Sequence, residues 1–197
     1  FSLTNSGRQL YQHGQQLLRS ADNLDALIKQ DDVYVGQINI ASPGSVGLKL
    51  YPHLLNLQQA HPGLSIDYTF APNKSIEHSL VEQHLDLALV TQDTVNHLLI
   101  SEKVAEEPLV LVTPHKVKSI DWSTLLQLGF ISHPDAAHHG KQLLSQNFSQ
   151  FEHIEQFEHR GFSNQISLIL EPVSLGLGFT VLPLHAAHAY HSPDLIS

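Results

Sequence analysis

The chain has 197 residues, 42% of them hydrophobic, enough apolar mass to fill the core of one or two domains, which excludes a disordered tail. Ten Lys and Arg against nineteen Asp and Glu leave a formal charge of −9, which opposes a phosphate-gripping surface on this chain. Zero Cys excludes disulfide frameworks, thiolate zinc sites and cysteine nucleophiles, and is compatible with a reducing compartment.

No apolar run approaches the roughly 18 residues of a membrane span, and no basic stretch leads into an apolar run as in a signal peptide. A cytoplasmic location without a membrane partner is the expectation. The chain opens on Phe1 and contains no Met, so a piece of a longer protein is expected. Fifteen histidines, a residue with a reference pKa of about 6.5, could offset the acidic excess below neutrality, a balance reflected in an isoelectric point of about 5.9. They read either as a histidine-rich surface or as a pH or metal switch.

In chain order, Thr4 is placed to cap one long helix. Leu3, Gly7, Leu10, Gly14, Leu17, Ala21, Leu24 and Ile28 fall on alternating steps of four and three, a heptad seam. Tyr11, Leu18 and Ala26 or Leu27 widen that face. The helix either packs on its own domain or protrudes to meet a partner; its polar end, Lys29-Gln30-Asp31-Asp32, favours the second.

From Val33 the period changes to two. Val33, Val35, Ile38 and Ile40 read as a strand, Ser42-Pro43-Gly44-Ser45 as a helix start, and Leu48 to Leu57 as the helix. Pro62-Gly63 turns the chain into a second strand, Leu64, Ile66, Tyr68, Phe70, completing a βαβ unit. A short helix through Ile76 and Leu80 leads to Leu85–Val90, a run suited to a buried parallel strand. Leu98–Val104 and Leu109–Val112 are two more strand candidates.

A second set follows: a helix near Trp122–Leu128, a strand Phe130–Ser132, a helix near Lys141–Phe148, a polar strand near Ile154–His159, and a helix through Ile166, Ile169, Leu170 and Val173. Gly176-Leu177-Gly178 then leads into Phe179–Pro183 and a last short helix. Alternating strands and helices imply an α/β fold in two lobes, 33–113 and 114–197, and a cleft between lobes is where small ligands bind.

Several of these segments stand in one order at familiar spacings. They are Phe1-x-Leu3-Thr4-x-x-Gly7-x-x-Leu10-Tyr11, Gly36-x-Ile38-x-Ile40-x-Ser42, His61-Pro62, Leu85–Val90, and Gly176-Leu177-Gly178-Phe179-x-Val181-Leu182-Pro183. Together they resemble the LysR-type bacterial transcription regulators over nearly the whole chain. The resemblance implies a two-lobed, periplasmic-binding-protein-like regulatory domain preceded by a linker helix. Residues 1–30 would be the end of a wing and the dimerising helix, 33–113 lobe I, and 114–197 lobe II. It further implies a DNA-reading winged helix-turn-helix before Phe1, through which alone promoter DNA would be bound. A return segment to lobe I would follow Ser197. Self-association to a dimer or tetramer is expected through Leu3, Leu10, Gly14, Leu17, Ala21, Leu24 and Ile28.

A cleft ligand is held by helix N-termini, whose free N–H groups and dipole favour anionic oxygen. Ser42, Pro43, Gly44 and Ser45 supply such a terminus with two hydroxyls, although Ser is also an ordinary cap. The resemblance carries Thr91, Ser132, His133 and Phe162, with Ser163-Asn164 behind it, to the same cleft; Phe70-Ala71-Pro72-Asn73 is a further candidate. With no arginine cluster, a small polar or monoanionic effector is expected rather than a phosphate-rich one.

His185, His188 and His191 step by three, and His138-His139 sits beside a helix start, but zinc needs three or four converging ligands. No metal or cofactor is expected. No Gly-x-Ser-x-Gly, Gly-rich phosphate loop or His-Glu-x-x-His supports an enzyme. A free solute-binding protein of the same architecture and a histidine-dependent metal hydrolase stay open as alternatives.

Overall fold

The computed structural model describes residues 3–29 and 33–197. Phe1, Ser2 and Gln30-Asp31-Asp32 lie outside the described residues, as do the side chains of Ala26, Leu27 and Ile28. Helix α1 (Asn5–Lys29) starts as its sequence dictates, with the Gly7 N–H donating to Thr4 Oγ1 at 3.2 Å. The described part of its apolar seam stands in solvent. Leu10 and Leu17 are 76% and 74% exposed, and a Cβ built on Gly14 would meet no atom within 4 Å.

Lobe I is built on three parallel strands in the order β2-β1-β3: β1 (Gly36–Ser42), β2 (Leu64–Phe70) and β3 (Leu87–Ala88). Register pairs Ile38 with Ile66, Ile40 with both Tyr68 and Leu87, and Ser42 with Phe70. Helix α2 (Gly44–Ala60) connects β1 to β2, and α3 (Asn73–Val81) connects β2 to β3. Val33 and Val35 fall outside β1 and are solvent-exposed, because the chain turns at Gly36 with φ 124°. The run Leu85–Val90 yields only a two-residue edge strand with Leu87 half out in solvent. The strand expected over Leu98–Val104 is absent: that segment is irregular, and Leu98, Ile100 and Val104 are exposed with no ladder partner. Apolar composition alone does not make a strand where no edge receives it.

Lobe II carries β4 (Leu109–Val112), antiparallel to β7 (Thr180–Pro183), and β5 (Phe130–Ser132), parallel to β6 (His159–Phe162). A bridge between Phe130 and Phe179 joins the two pairs. The segment 109–112, assigned to the first lobe by sequence, is thus paired with β7 of the second. The final residues add to the sheet beyond β4, Thr113 and Ser197 exchanging backbone bonds of 2.8 and 2.9 Å.

Helix α4 (Trp122–Leu128) is capped by Asp121, which accepts from the Thr124 N–H at 2.8 Å. Helix α5 (Ala136–Asn147) begins five residues before the expected Lys141, since Ala136, His139 and Gly140 are buried against the sheet. Ile154–Gln156 is a 3₁₀ turn rather than part of a strand, and β6 starts only at His159. The helix expected through Ile166–Val173 is two pieces, a 3₁₀ turn Ile166–Leu168 and α6 (Glu171–Ser174), because Pro172 cannot donate back into a continuous helix. Helix α7 (Leu184–His188) follows β7 and packs against α2.

Phe179 centres the lobe II core, fully buried, edge-on to Phe157 at 4.9 Å and to Phe130 at 5.2 Å. The Gly176-Leu177-Gly178 signature has two separate causes. Gly176 adopts φ 84°, and a Cβ on Gly178 would lie 2.8 Å from the Gly129 carbonyl oxygen.

Candidate functional site

One cavity of about 410 Å³ lies between the lobes, within the range of small-molecule sites. Lobe I contributes the start of α2 (Pro43, Gly44, Ser45, Leu48) and the end of β2 (Phe70, Ala71, Pro72). Lobe II contributes the β5–α5 turn and α5 (His133, Pro134, Asp135, His139), the segment after β6 (Asn164 to Ile169) and the end of β7 (Leu182, Pro183). The lobes touch at its rim, where a Cβ on Gly44 would sit 2.9 Å from Ile166 Cβ. They are also bridged by a polar contact: Asn73, 3% exposed, donates to Thr91 Oγ1 at 2.9 Å and to Asp135 Oδ1 at 3.4 Å, while its own Oδ1 accepts from the Thr91 N–H at 3.0 Å.

Of the residues named from sequence, the structure brings Pro43, Gly44, Ser45 and His133 to the cavity wall, together with the weaker candidates Phe70, Ala71, Pro72 and Asn164. Ser42 is not there. It is fully buried, its hydroxyl donates to the Pro43 carbonyl at 2.9 Å, and that commitment makes Tyr68 OH the donor in their 2.7 Å contact. Burial pushes the Tyr68 phenol up from its ordinary value, so it stays a protonated donor. Ser42 is therefore neither a free ligand group nor the cap of α2, which has Pro43 at the N-cap and no side-chain cap bond. Ser45 differs: it is 5% exposed, lines the cavity, and its hydroxyl has no hydrogen-bond partner among the described residues.

Thr91 is held off the cavity by its two bonds to Asn73. Ser132 ends β5 with its carbonyl accepting from the Ser163 N–H at 3.1 Å, and Phe162 is 60% exposed; neither lines the cavity.

The sequence did not point to Asp135, Gln165 or Ser167 as wall residues, nor to His139 in this role. The available signal was the Asp135-Ala136-Ala137 start of α5, a good helix opening that places His139 one turn in. His133 Nε2 lies 2.9 Å from the Val181 carbonyl, so that nitrogen carries the proton and Nδ1 is an acceptor. Burial lowers the pKa of His133, and lowers that of His139 to about 3 with help from the neighbouring His133 and His138. Both rings are neutral at pH 7. His139 Nδ1 and His138 Nε2 are buried without partners.

The other histidine pattern disperses. His185 and His188 lie on α7, whereas His191 lies beyond it and approaches Glu171 at 3.6 Å. Among the described residues no group of three or more His, Cys, Asp or Glu could hold a metal ion, and no helix is long and apolar enough to cross a membrane.

The architecture has known counterparts. Full-length OxyR from Pseudomonas aeruginosa, in a Cys-to-Asp form, superposes with a TM-score of 0.69 at 19% identity, covering all of this chain and 69% of that one. The effector binding domain of QuiR in complex with shikimate superposes with a TM-score of 0.61 at 19% identity, over 83% of this chain and 79% of that one. In sequence, the HTH-type transcriptional regulator CzcR of Bacillus cereus is 23% identical over 194 residues, 95% of this chain. The chain spans 63% of the length of that curated relative. The lobes, their cleft and the signatures that first suggested them are those of the LysR substrate binding domain, which matches residues 32–197, and the chain belongs to that family.

Proposed function

We propose that this chain is the effector-sensing and oligomerising portion of a LysR-type transcriptional regulator that works in the cytoplasm. A small polar molecule enters the cleft, alters the angle between the lobes, and so changes DNA binding by a winged helix-turn-helix outside this chain. Such coupling requires the ligand to bind one lobe arrangement better than the other. The observation that carries the reading is the inter-lobe cavity, lined by the start of α2 with the unpartnered hydroxyl of the buried residue Ser45. The likeness to regulators such as CzcR and to an effector domain holding shikimate supports it. The exposed stripe of Leu10, Leu17 and Leu24 on α1, with Leu3 just before it, supports self-association through that helix, because an extended exposed apolar face marks a surface that a partner covers.

A thermal-shift screen with small polar metabolites tests the cleft. A compound binding the folded state raises the midpoint by mass action, and Ser45→Ala should weaken it tenfold or more, since a hydroxyl bond to a charged group contributes about 1.5–3 kcal/mol. A ligand whose affinity is unchanged in Ser45→Ala, with protection from hydrogen exchange mapping away from both cavity walls, overturns the assignment.

A further inference from the structure

The two walls of the cavity are electrically opposite. On lobe I, the 17-residue α2 presents its N-terminus: the first intrahelical bond is from Gly47 N–H to Pro43 O, so the Gly44 and Ser45 N–H groups have no acceptor within the helix. Beside them stands Ser45, a residue 5% exposed that lines the cavity and whose hydroxyl has no partner among the described residues. On lobe II the wall holds the carboxylate of Asp135. It occupies the N-cap position of α5 yet makes no side-chain cap bond, and its one hydrogen bond among the described residues is the 3.4 Å contact from Asn73.

No Lys or Arg is among the cavity-lining residues, and the imidazoles of His133 and His139 are neutral, so Asp135 is the only formal charge on the wall. A simple carboxylate ligand would face that charge with no cation to offset it. Leu48, Phe70, Ile166, Ile169 and Leu182 give the wall an apolar stretch, beside the polar but uncharged Asn164, Gln165 and Ser167.

We propose that the cleft takes a zwitterion, an α-amino acid with an apolar side chain, its carboxylate at the start of α2 with Ser45 and its ammonium group on Asp135. The ammonium adds a charged donor to the Asp135 carboxylate, whose one hydrogen bond among the described residues is the long contact from Asn73, and the side chain covers the apolar stretch of the wall. The proposal rests on the reading of this cavity as the effector site and narrows its ligand class.

Calorimetric titration of the 197-residue chain tests it with L-leucine, L-methionine and L-phenylalanine, against N-acetyl-L-leucine, which lacks the ammonium, 3-methylbutylamine, which lacks the carboxylate, and shikimate, a hydroxylated monoanion. At least one free amino acid should bind, and its single-pole analogues should bind tenfold or more weakly. Asp135→Asn, isosteric and checked for fold by circular dichroism, should cost the amino acid tenfold or more and leave N-acetyl-leucine unchanged or tighter. The proposal is overturned if no free amino acid binds, or if N-acetyl-leucine or shikimate binds as tightly as the amino acids. Shikimate binding that weakens in Ser45→Ala would sink the zwitterion while leaving the effector cleft standing.

Discussion

Lowering the pH toward 5 should destabilise this protein through His139, by an amount the structure sets. The folded state holds that imidazole neutral with a pKa of about 3, against an ordinary 6.5. Below pH 6.5 the unfolded chain takes up a proton that the folded chain refuses. The associated stability is complete above pH 6.5 and is lost progressively as pH falls from 6.5 toward 3. At about 1.4 kcal/mol per pH unit per proton, His139 accounts for a loss of ~2 kcal/mol at pH 5 relative to neutrality. His133, lowered in the same direction by burial, adds to the loss. The pH range 5–7 lies above the ordinary carboxylate range, so histidine dominates the slope. Urea unfolding of wild type and His139→Phe across that range is the assay. The variant should lose about one proton's worth of slope, and it also removes an unpartnered buried nitrogen. A wild-type stability flat from pH 7 to 5, or a variant falling as steeply as wild type, would refute the reasoning.

Replacing both Leu17 and Leu24 by Glu should convert an associated species to monomer in sedimentation velocity without altering the unfolding midpoint of the lobes, since both side chains stand in solvent in the single chain; a dimer that persists places the interface elsewhere. Gly178→Ala should cost about 1–3 kcal/mol in urea unfolding, because the new methyl meets a backbone carbonyl rather than a movable side chain; a neutral result would show that the β5–β7 junction yields more easily than its packing suggests.

Where sequence and structure agree, the sequence carries local physics that tertiary contacts do not override. The alternation Leu64, Ile66, Tyr68 makes β2, Asp121 and Gly129 bracket α4 at both ends, and Thr4 opens α1. The misses have equally specific causes. Leu98, Ile100 and Val104 have a strand's composition without a neighbouring edge, and Pro172 interrupts an otherwise helical spacing. Part of the cavity wall was legible, at Pro43–Ser45 and His133. Asp135 and His139 were hidden because α5 begins five residues earlier than its apolar pattern, its first turn being buried by small residues and histidine rather than by large aliphatics. Ser42 looked like a cleft donor because its neighbours line the cavity; only the structure shows its hydroxyl turned back onto the Pro43 carbonyl.

The pairing of β4 with β7 has a kinetic consequence. The three described strands of lobe I lie between Gly36 and Ala88, so this part of the sheet can close soon after its own residues leave the ribosome. Leu109–Val112 must wait about 70 residues for Thr180–Pro183, and Phe130 for Phe179, before the aromatic centre can assemble. Translation order therefore makes the second lobe the slow step. Pulse-labelling hydrogen exchange should show Ile38, Ile40 and Ile66 protected ahead of Val110 and Val181, so that the cleft between the lobes forms only after the second lobe has closed.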